Sequence, residues 1–144
     1  MMDPDIRRNV EESFARQTLM ATFGAEVTRI APGEVEITAP IRECARQQQG
    51  LAHAGLTFSL GDSAAGYSAL SLLPATAEVV TSEMKINLLA PGRGAALVAR
   101  GRVIRPGRRL IVSGAEVFAR AGDGTETLIA VMTGTLVPVA QTAG

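Results

Sequence analysis

One acid stands in an apolar stretch of the sequence where a side chain could do chemistry. Asp62 is the only carboxylate between His53 and Glu78, and small or apolar residues surround it. Carboxylates are seldom buried unless they are paired or functional. A helix through this stretch would also carry Gly61 and Gly66, each of which costs a helix about 1 kcal/mol relative to alanine. We therefore predict that another backbone or a ligand approaches this face. Asp62 is then either a general base or nucleophile, or a satisfied polar group at a subunit contact.

A polar loop leads into that helix. Residues 41–52 carry three consecutive glutamines, Gln47–Gln49, and His53 follows as the only histidine of the chain. Binding groups are common in such loops, and the free N–H groups of a helix N-terminus favour negative charge. His53 could cap the helix, lie in the core or contact a ligand. Because there is one histidine and one cysteine, Cys44, we predict neither a metal site nor an internal disulfide.

The composition is typical of a single domain without a strongly charged partner. The chain has 144 residues, 14 Lys and Arg against 14 Asp and Glu, and no tryptophan. This length can bury a core within one domain, residues 1–144, and the lack of a basic excess argues against nucleic-acid binding. No stretch has the pattern of a signal peptide or a membrane span. We expect a cytoplasmic enzyme or binding protein with neither nucleic-acid nor membrane partners.

Turn and periodicity signals predict an α+β domain. A peripheral N-terminal helix is expected within about residues 1–22, and a flexible tail from about 138 to 144. Between them we predict a hairpin, a long apolar helix ending near residue 73, and an antiparallel meander of four strands. The predicted strands cover residues 25–30, 35–39, 77–89, 95–105, 110–120 and 126–137. About six strands and one dominant helix indicate a curled antiparallel sheet wrapped around that helix.

Three segments of the chain share residues and spacing with a known family. They are Gln47-x-x-Gly50-x-x-His53-Ala54-Gly55-x-x-x-x-Leu60-x-Asp62-Ser63-Ala64, the run from Thr81 to Gly92, and Pro106-Gly107-Arg108-Arg109-Leu110. Together they resemble the hot-dog fold acyl-CoA thioesterases of the phenylacetate-degradation (PaaI) type. The resemblance covers nearly the whole domain. It implies the hot-dog fold and a dimer, often paired into a tetramer, with two active sites at the dimer interface, each shared between subunits.

The resemblance also implies the hydrolysis of an acyl-CoA thioester without a metal or redox cofactor, coenzyme A being part of the substrate. In such enzymes the helix acid, here Asp62, acts as general base or nucleophile. The backbone N–H of Ala54, followed by Gly55, would polarise the thioester carbonyl. His53 and Gln47 would assist the departing thiolate.

Three further positions extend or depart from the family pattern. Thr81 falls where the family has a hydroxyl that is expected to orient the water. Ala54 replaces the first of the two glycines that usually follow the histidine. The backbone N–H is kept, and the added methyl group narrows the space through which the acyl group approaches it. Gln47 replaces an asparagine and supplies its amide one carbon further out, with Gln48 as the alternative for that role.

Nearly all basic residues are arginine, and five of them crowd one predicted hairpin: Arg100, Arg102, Arg105, Arg108 and Arg109. Arginine binds phosphate oxygens with two parallel hydrogen bonds. Arg108 and Arg109, at the tip, are our candidates for binding the phosphates of coenzyme A. The alternative is a solvated face of the sheet.

Two other functions stay open on the sequence alone. A hot-dog hydratase or dehydratase would pair His53 with Asp62 across the site, and a non-catalytic module would bind acyl-CoA without turnover. The acyl group is open as well. An aryl group or a medium aliphatic chain would suit the nearby side chains Leu51, Leu56, Phe58 and Tyr67.

Overall fold

One long helix lies against a single antiparallel sheet in the computed structural model, which describes residues 1–142. The helices are α1 Pro4–Ala15, α2 Thr18–Phe23 and α3 Ala54–Leu70, with a short 3-10 turn at Glu43–Ala45. The strands are β1 Glu26–Ala31, β2 Glu34–Pro40, β3 Ala77–Leu88, β4 Ala96–Arg105, β5 Ile111–Arg120 and β6 Glu126–Ala140. The predicted six-stranded antiparallel sheet around one long central helix is confirmed.

The strand order in the sheet is β1-β2-β4-β5-β6-β3, and every neighbouring pair is antiparallel. Strands β4, β5 and β6 form a meander, but the prediction that β3 begins it is wrong, since β3 pairs along its length with β6. The segment after β3 runs across the start of α3 instead of folding back, and there the Gly92 carbonyl accepts from the Ala52 N–H at 3.0 Å. β3 is therefore an edge strand, with no strand on its second edge within residues 1–142.

Small and apolar side chains bury α3 along most of its length. Leu56 and Leu60 are fully buried against the sheet. The predicted close approach at Gly61 is confirmed, because an added Cβ would overlap the sulfur of Met132 in β6. The approaching group is thus a side chain, not the backbone or ligand that we predicted. Gly66 differs, because an added Cβ there would meet nothing closer than 3.8 Å.

The N-terminal helix is shorter than predicted and is followed by a second one. Asp3 caps α1 by accepting from the Asp5 N–H at 2.8 Å, and the helix ends at Ala15. Gln17 then adopts an extended backbone, with φ −78° and ψ 97°, before α2 begins. The prediction of a single helix within about residues 1–22 is therefore wrong, since two helices occupy this segment. The break directs the Gln17 side chain toward α3.

Strand β6 is longer than predicted. It continues to Ala140, which pairs with Ala77 at the start of β3. Residues 138–140 thus belong to the sheet instead of a tail, and the rest of the predicted tail includes residues 143–144, which lie outside the described residues. Gln141 donates to Asn9 Oδ1 at 2.7 Å and so ties this end of the sheet to α1.

One buried hydroxyl offers a test of stability. Ser113 Oγ is the only buried side-chain polar atom without a hydrogen-bond partner within residues 1–142. Because an unpaired buried polar group is unfavourable, Ser113→Ala is expected to raise the free energy of unfolding by about 1 kcal/mol. Denaturant unfolding monitored by circular dichroism would measure the change.

Ser68→Ala is the matched control for this prediction, since Ser68 and Ser113 are both fully buried. Ser68 Oγ accepts from the Val35 N–H at 3.0 Å and donates to the Ala64 carbonyl at 2.7 Å. Removing this hydroxyl is expected to cost about 1–3 kcal/mol. Equal losses of stability at the two serines would contradict the prediction.

Candidate active site

Asp62 lies half-buried on α3, with its carboxylate bonded to the neighbouring strand. Thr81 of β3 donates a hydrogen bond from Oγ1 to Asp62 Oδ1 at 2.8 Å. The register of β3 with β6 shifts between Thr81 and Glu83, and such bulges redirect side chains. Burial raises the pKa of Asp62 above its usual 3.8, and the hydrogen bond from Thr81 opposes part of that rise. The structure thus brings together the acid and the hydroxyl that the sequence assigned to one site.

A cavity of about 260 Å³ opens beside this carboxylate. The junction of α1 and α2, helix α3 and strand β3 meet around it, and most of its wall is polar. Its lining residues are Ser13, Gln17, Asp62, Ser63, Gly66, Tyr67, Glu78, Val79 and Thr81. An acid of raised pKa in such a cavity can activate a water molecule or attack an electrophile.

Sequence reasoning missed the N-terminal contribution to this cavity. Gln17 Nε2 donates to the Tyr67 hydroxyl at 2.7 Å, and Ser63 Oγ donates to Gln17 Oε1 at 3.4 Å. Ser13 Oγ lies 3.2 Å from the Tyr67 hydroxyl and donates to the Glu78 carboxylate at 3.2 Å. The signal available in the sequence was Ser13, a polar residue on the buried face of α1. The N-terminal helices therefore form part of the site and are not merely peripheral.

His53 caps α3. Its Nδ1 accepts from the Gly55 N–H at 2.7 Å, so a neutral imidazole carries its proton on Nε2. The Gly55 N–H is therefore already hydrogen-bonded within the chain. The Ala54 N–H, at the first position of the helix, has no acceptor within residues 1–142. An N–H group at a helix N-terminus can stabilise a developing oxyanion.

A second cavity, of about 430 Å³, lies at this helix N-terminus. The predicted site residues in its wall are Gln47, Gln48, His53 and Ala54. The Gln47 side chain is folded onto its own loop, where its Oε1 accepts from the backbone N–H groups of Gln49 and Leu51. Gln47 therefore shapes the loop, while Gln48 is an exposed amide on the same wall.

One protomer does not bring Asp62 and Ala54 together. They are eight positions apart on α3, which corresponds to about 12 Å along a helix axis. The two cavities have no lining residue in common. The acid and the predicted oxyanion donor therefore lie at two separate cavities, which we call the Asp62 half-site and the Ala54 half-site.

The candidate acyl-binding residues also fall in different places. Tyr67 lines the Asp62 cavity, and Leu51 lines the second cavity. Leu56 is buried in the core, and Phe58 is 37% exposed. Burial raises the pKa of Tyr67, although its bonds with Ser13 and Gln17 oppose the rise, so the phenol stays protonated at neutral pH. Within one protomer these four side chains therefore do not line a common pocket.

Arg108 and Arg109 are exposed at the hairpin between β4 and β5 and contribute to neither cavity. The sheet register sets Thr81 opposite Leu136, and Leu136 opposite Ile111. With strands about 4.8 Å apart, β5 begins roughly 10 Å across the sheet from Thr81. The two arginines thus lie at the end of the sheet that carries the Asp62 half-site.

Arg100 has a structural role, the alternative that the sequence left open for the hairpin arginines. Its guanidinium donates to Glu36 at 2.8 Å and to both Glu126 oxygens at 2.9 and 3.0 Å. It also lies 4.8 Å from the centre of the Phe118 ring. The hydrogen bonds from Arg100 hold the pKa of Glu126 below its usual range.

Neither a membrane-crossing helix nor a cluster of metal ligands occurs among residues 1–142. No helix among them combines the length and apolarity that crossing a membrane requires. These residues also contain no group of three or more His, Cys, Asp or Glu side chains that could hold a metal ion.

Comparisons with known proteins show which family and which solved structures this chain is similar to. A family model described as the thioesterase superfamily matches residues 49–126. A thioesterase family protein from Silicibacter pomeroyi, solved by crystallography, is 42% identical with a TM-score of 0.91, over 94% of this chain and 99% of that one. The E. coli PaaI protein from the phenylacetic acid degradation operon shares the fold at 20% identity, with a TM-score of 0.84 over 99% of both chains. A Bacillus halodurans protein crystallised with CoA is 25% identical, with a TM-score of 0.73 over 94% of this chain and 89% of that one.

The segment that matches the family model includes most of both half-sites, with His53, Ala54, Asp62 and Thr81. The likeness to the PaaI protein confirms the predicted hot-dog fold. The match extends over more than half of the chain, and the Silicibacter pomeroyi protein is similar over nearly all of it. The chain therefore belongs to the thioesterase superfamily, with a hot-dog fold of the PaaI type, and is a thioester hydrolase.

Proposed function

We propose that this protein hydrolyses acyl-CoA thioesters to a free acid and coenzyme A, with Asp62 as the general base or nucleophile. The observation that carries the proposal is the half-buried Asp62 carboxylate, bonded to Thr81 at 2.8 Å in the wall of a cavity. The CoA in the crystals of the Bacillus halodurans protein supports coenzyme A as the thiol. The proposed chemistry uses water, a carboxylate and hydrogen-bond donors, and it requires no metal or redox cofactor.

Each proposed role follows from the chemistry of thioester hydrolysis. As a general base, Asp62 takes a proton from a water molecule whose oxygen attacks the carbonyl carbon. The carbonyl oxygen becomes an oxyanion that accepts from the Ala54 N–H. The carbon–sulfur bond then breaks, and the departing thiolate takes up the proton. As a nucleophile, the carboxylate attacks the carbonyl carbon itself and forms an anhydride that water hydrolyses. Both routes require ionised Asp62.

Two copies of the chain joined along β3 would unite the half-sites. The free edge of β3 belongs to a strand of 12 residues, and two of its residues, Val80 and Leu88, are 51% and 55% exposed. A long apolar edge strand is a surface for pairing with another chain. Antiparallel pairing of two β3 strands would set the Asp62 half-site of each copy beside the Ala54 half-site of the other. The proposed active unit is a homodimer, and two such dimers would form a tetramer.

Release of coenzyme A from purified protein tests the proposed function. Free thiol would be followed with phenylacetyl-, benzoyl- and straight-chain acyl-CoA substrates, with matched O-esters as controls for general esterase activity. We expect thiol release from the CoA thioesters. Hydration of an enoyl-CoA without thiol release would support a hydratase instead, and tight acyl-CoA binding without turnover would support a binding module.

Replacing Thr81 is expected to change the pH dependence of hydrolysis. The Thr81 hydrogen bond lowers the pKa of Asp62 against the effect of burial. Thr81→Val removes that bond, so the pKa rises further and a larger fraction of Asp62 is protonated at mildly acid pH. The rising acid limb of kcat/KM should therefore move to higher pH. Thr81→Ser keeps the hydroxyl and should keep the wild-type pH profile. If the acid limb of kcat/KM is at the same pH in Thr81→Val as in wild type, the ionisation of Asp62 does not determine that limb.

Arg108 and Arg109 are proposed to bind the phosphates of coenzyme A. Their exposure and their position near the Asp62 half-site support this role. Replacing both with alanine is expected to raise KM for acyl-CoA about tenfold and to leave kcat nearly unchanged. Arg102→Ala, at another exposed arginine of the same hairpin, is the control. If Arg102→Ala raises KM as much as the double replacement does, Arg108 and Arg109 have no specific role in binding coenzyme A.

A further inference from the structure

The cavity beside Asp62 is closed on one side by a carboxamide from outside the segment that matches the family model. Gln17 lies between α1 and α2, whereas the match begins at residue 49. Its side chain contacts α3 twice, through Tyr67 at 2.7 Å and Ser63 at 3.4 Å. Because Ser63 follows Asp62 directly, Gln17 lies next to the proposed reaction centre.

The Gln17 carboxamide keeps hydrogen-bonding capacity for a ligand. A glutamine side chain has two N–H groups and two acceptor lone pairs. One N–H goes to the Tyr67 hydroxyl, and one lone pair accepts from Ser63 Oγ. One donor and one acceptor of a residue that lines the cavity are thus available.

The position of Gln17 relative to Asp62 determines which part of the substrate Gln17 would contact. Tyr67 is five positions beyond Asp62 on α3, about 7.5 Å along the helix axis. Because one cavity extends from Asp62 to Gln17 and Tyr67, an acyl group that fills it from a thioester carbonyl beside Asp62 would run along α3 toward these two side chains. Gly66 lines the cavity between Asp62 and Tyr67, so no side chain from this position of α3 occupies that part of it.

We infer that Gln17 is a specificity-determining residue, which selects compact acyl groups with a neutral hydrogen-bonding group, such as a hydroxyl or ketone, over saturated hydrocarbon acyl groups. The inference rests on the proposed function, because it takes the Asp62 cavity as the acyl site. A hydrocarbon chain end would exclude water from the remaining donor and acceptor of Gln17 without replacing their hydrogen bonds. Sites built in this way discriminate against ligands that lack the matching polar group.

The same cavity disfavours an acyl group that ends in a carboxylate. Glu78 and Asp62 both line it, and the nearest cation to Glu78, Arg16, is 62% exposed with its nitrogen 3.5 Å from the Glu78 oxygen. A third negative charge would meet two carboxylates and little compensating positive charge. The preferred polar group is therefore neutral.

Binding of uncleavable analogues tests the inference separately from turnover. We would compare two thioethers of coenzyme A, the 2-oxohexyl and the 6-hydroxy-2-oxohexyl compounds, in which a methylene between sulfur and carbonyl prevents hydrolysis. Calorimetry with wild type should show at least about tenfold tighter binding of the hydroxylated analogue. Gln17→Leu and Gln17→Met, apolar side chains of similar size, should lose or reverse that ratio.

Gln141→Leu is the matched control. Gln141 also ties α1 to the rest of the fold, through Asn9, but lies outside the cavity. This variant should keep the wild-type ratio, and thermal melting would confirm that all variants are folded. Equal binding of the two analogues to wild type, an unchanged ratio in the folded Gln17 variants, or the same loss in Gln141→Leu would overturn the inference. A wild type that releases no thiol would count against the proposed function alone, since the binding ratio would still be measurable.

Discussion

Asp62→Asn is expected to reduce kcat/KM for acyl-CoA hydrolysis by about 10³-fold. Asparagine has the shape of aspartate, and its amide oxygen can still accept the hydrogen bond that Thr81 donates at 2.8 Å. The amide can neither take a proton from water nor attack the carbonyl carbon, so both proposed routes are lost. Initial rates of thiol release over a range of acyl-CoA concentrations, compared in the two proteins, would measure the effect. Comparable turnover would remove Asp62 from the mechanism.

The same substitution should stabilise the fold at neutral pH. Burial raises the pKa of Asp62 in the folded chain above the ordinary value of 3.8. The stability that this shift contributes is complete below the unfolded pKa and is lost as the pH rises through the folded pKa. Ionised Asp62 is therefore unfavourable to folding at pH 7, and Asp62→Asn should melt at a higher temperature, with a difference that shrinks toward pH 4. Lower stability together with lower activity would indicate a structural role.

The sequence was sufficient for the local features of the site and not for its distant ones. Asp62 could be recognised because its apolar neighbours make a charge there costly. The position of Thr81 followed from the family resemblance. Gln17 was missed because its contact with Tyr67 spans 50 positions and depends on the break between two short helices. No periodicity within either helix carries that information.

The pairing of the strands likewise depends on contacts between distant positions that the sequence pattern does not reveal. The turn residues at Pro91 and Gly92 correctly predicted the end of β3, since they interrupt a strand. They could not show that the chain crosses the start of α3 and leaves β3 beside β6. The pairing of β3 with β6 depends on which strands pack together against α3. It leaves the other edge of β3 unpaired, and the proposed dimer depends on that edge.

Ala54→Pro is expected to reduce kcat by about 10²- to 10³-fold. Ala54 is the first residue of α3, where proline is well accepted because its missing N–H has no partner within the helix. The preceding residue, His53, has φ −66° and ψ 143°, which suits a residue before proline. The substitution therefore removes the proposed oxyanion donor while keeping the helix. Ala54→Gly keeps the N–H and is expected to retain most of the activity.

Mixing the two inactive proteins tests whether each active site is shared between two subunits. If Asp62 of one subunit acts with the Ala54 N–H of the other, a dimer of one Asp62→Asn and one Ala54→Pro chain has one intact site and one doubly damaged site. Random pairing makes half of the dimers mixed, so refolding an equimolar mixture should restore about a quarter of wild-type activity. Each parent alone stays at about a hundredth or less. If both residues act within one chain, mixing restores nothing, and an active monomer in sedimentation would contradict the shared site directly. The 12 Å that α3 sets between the half-sites makes recovery the expected result.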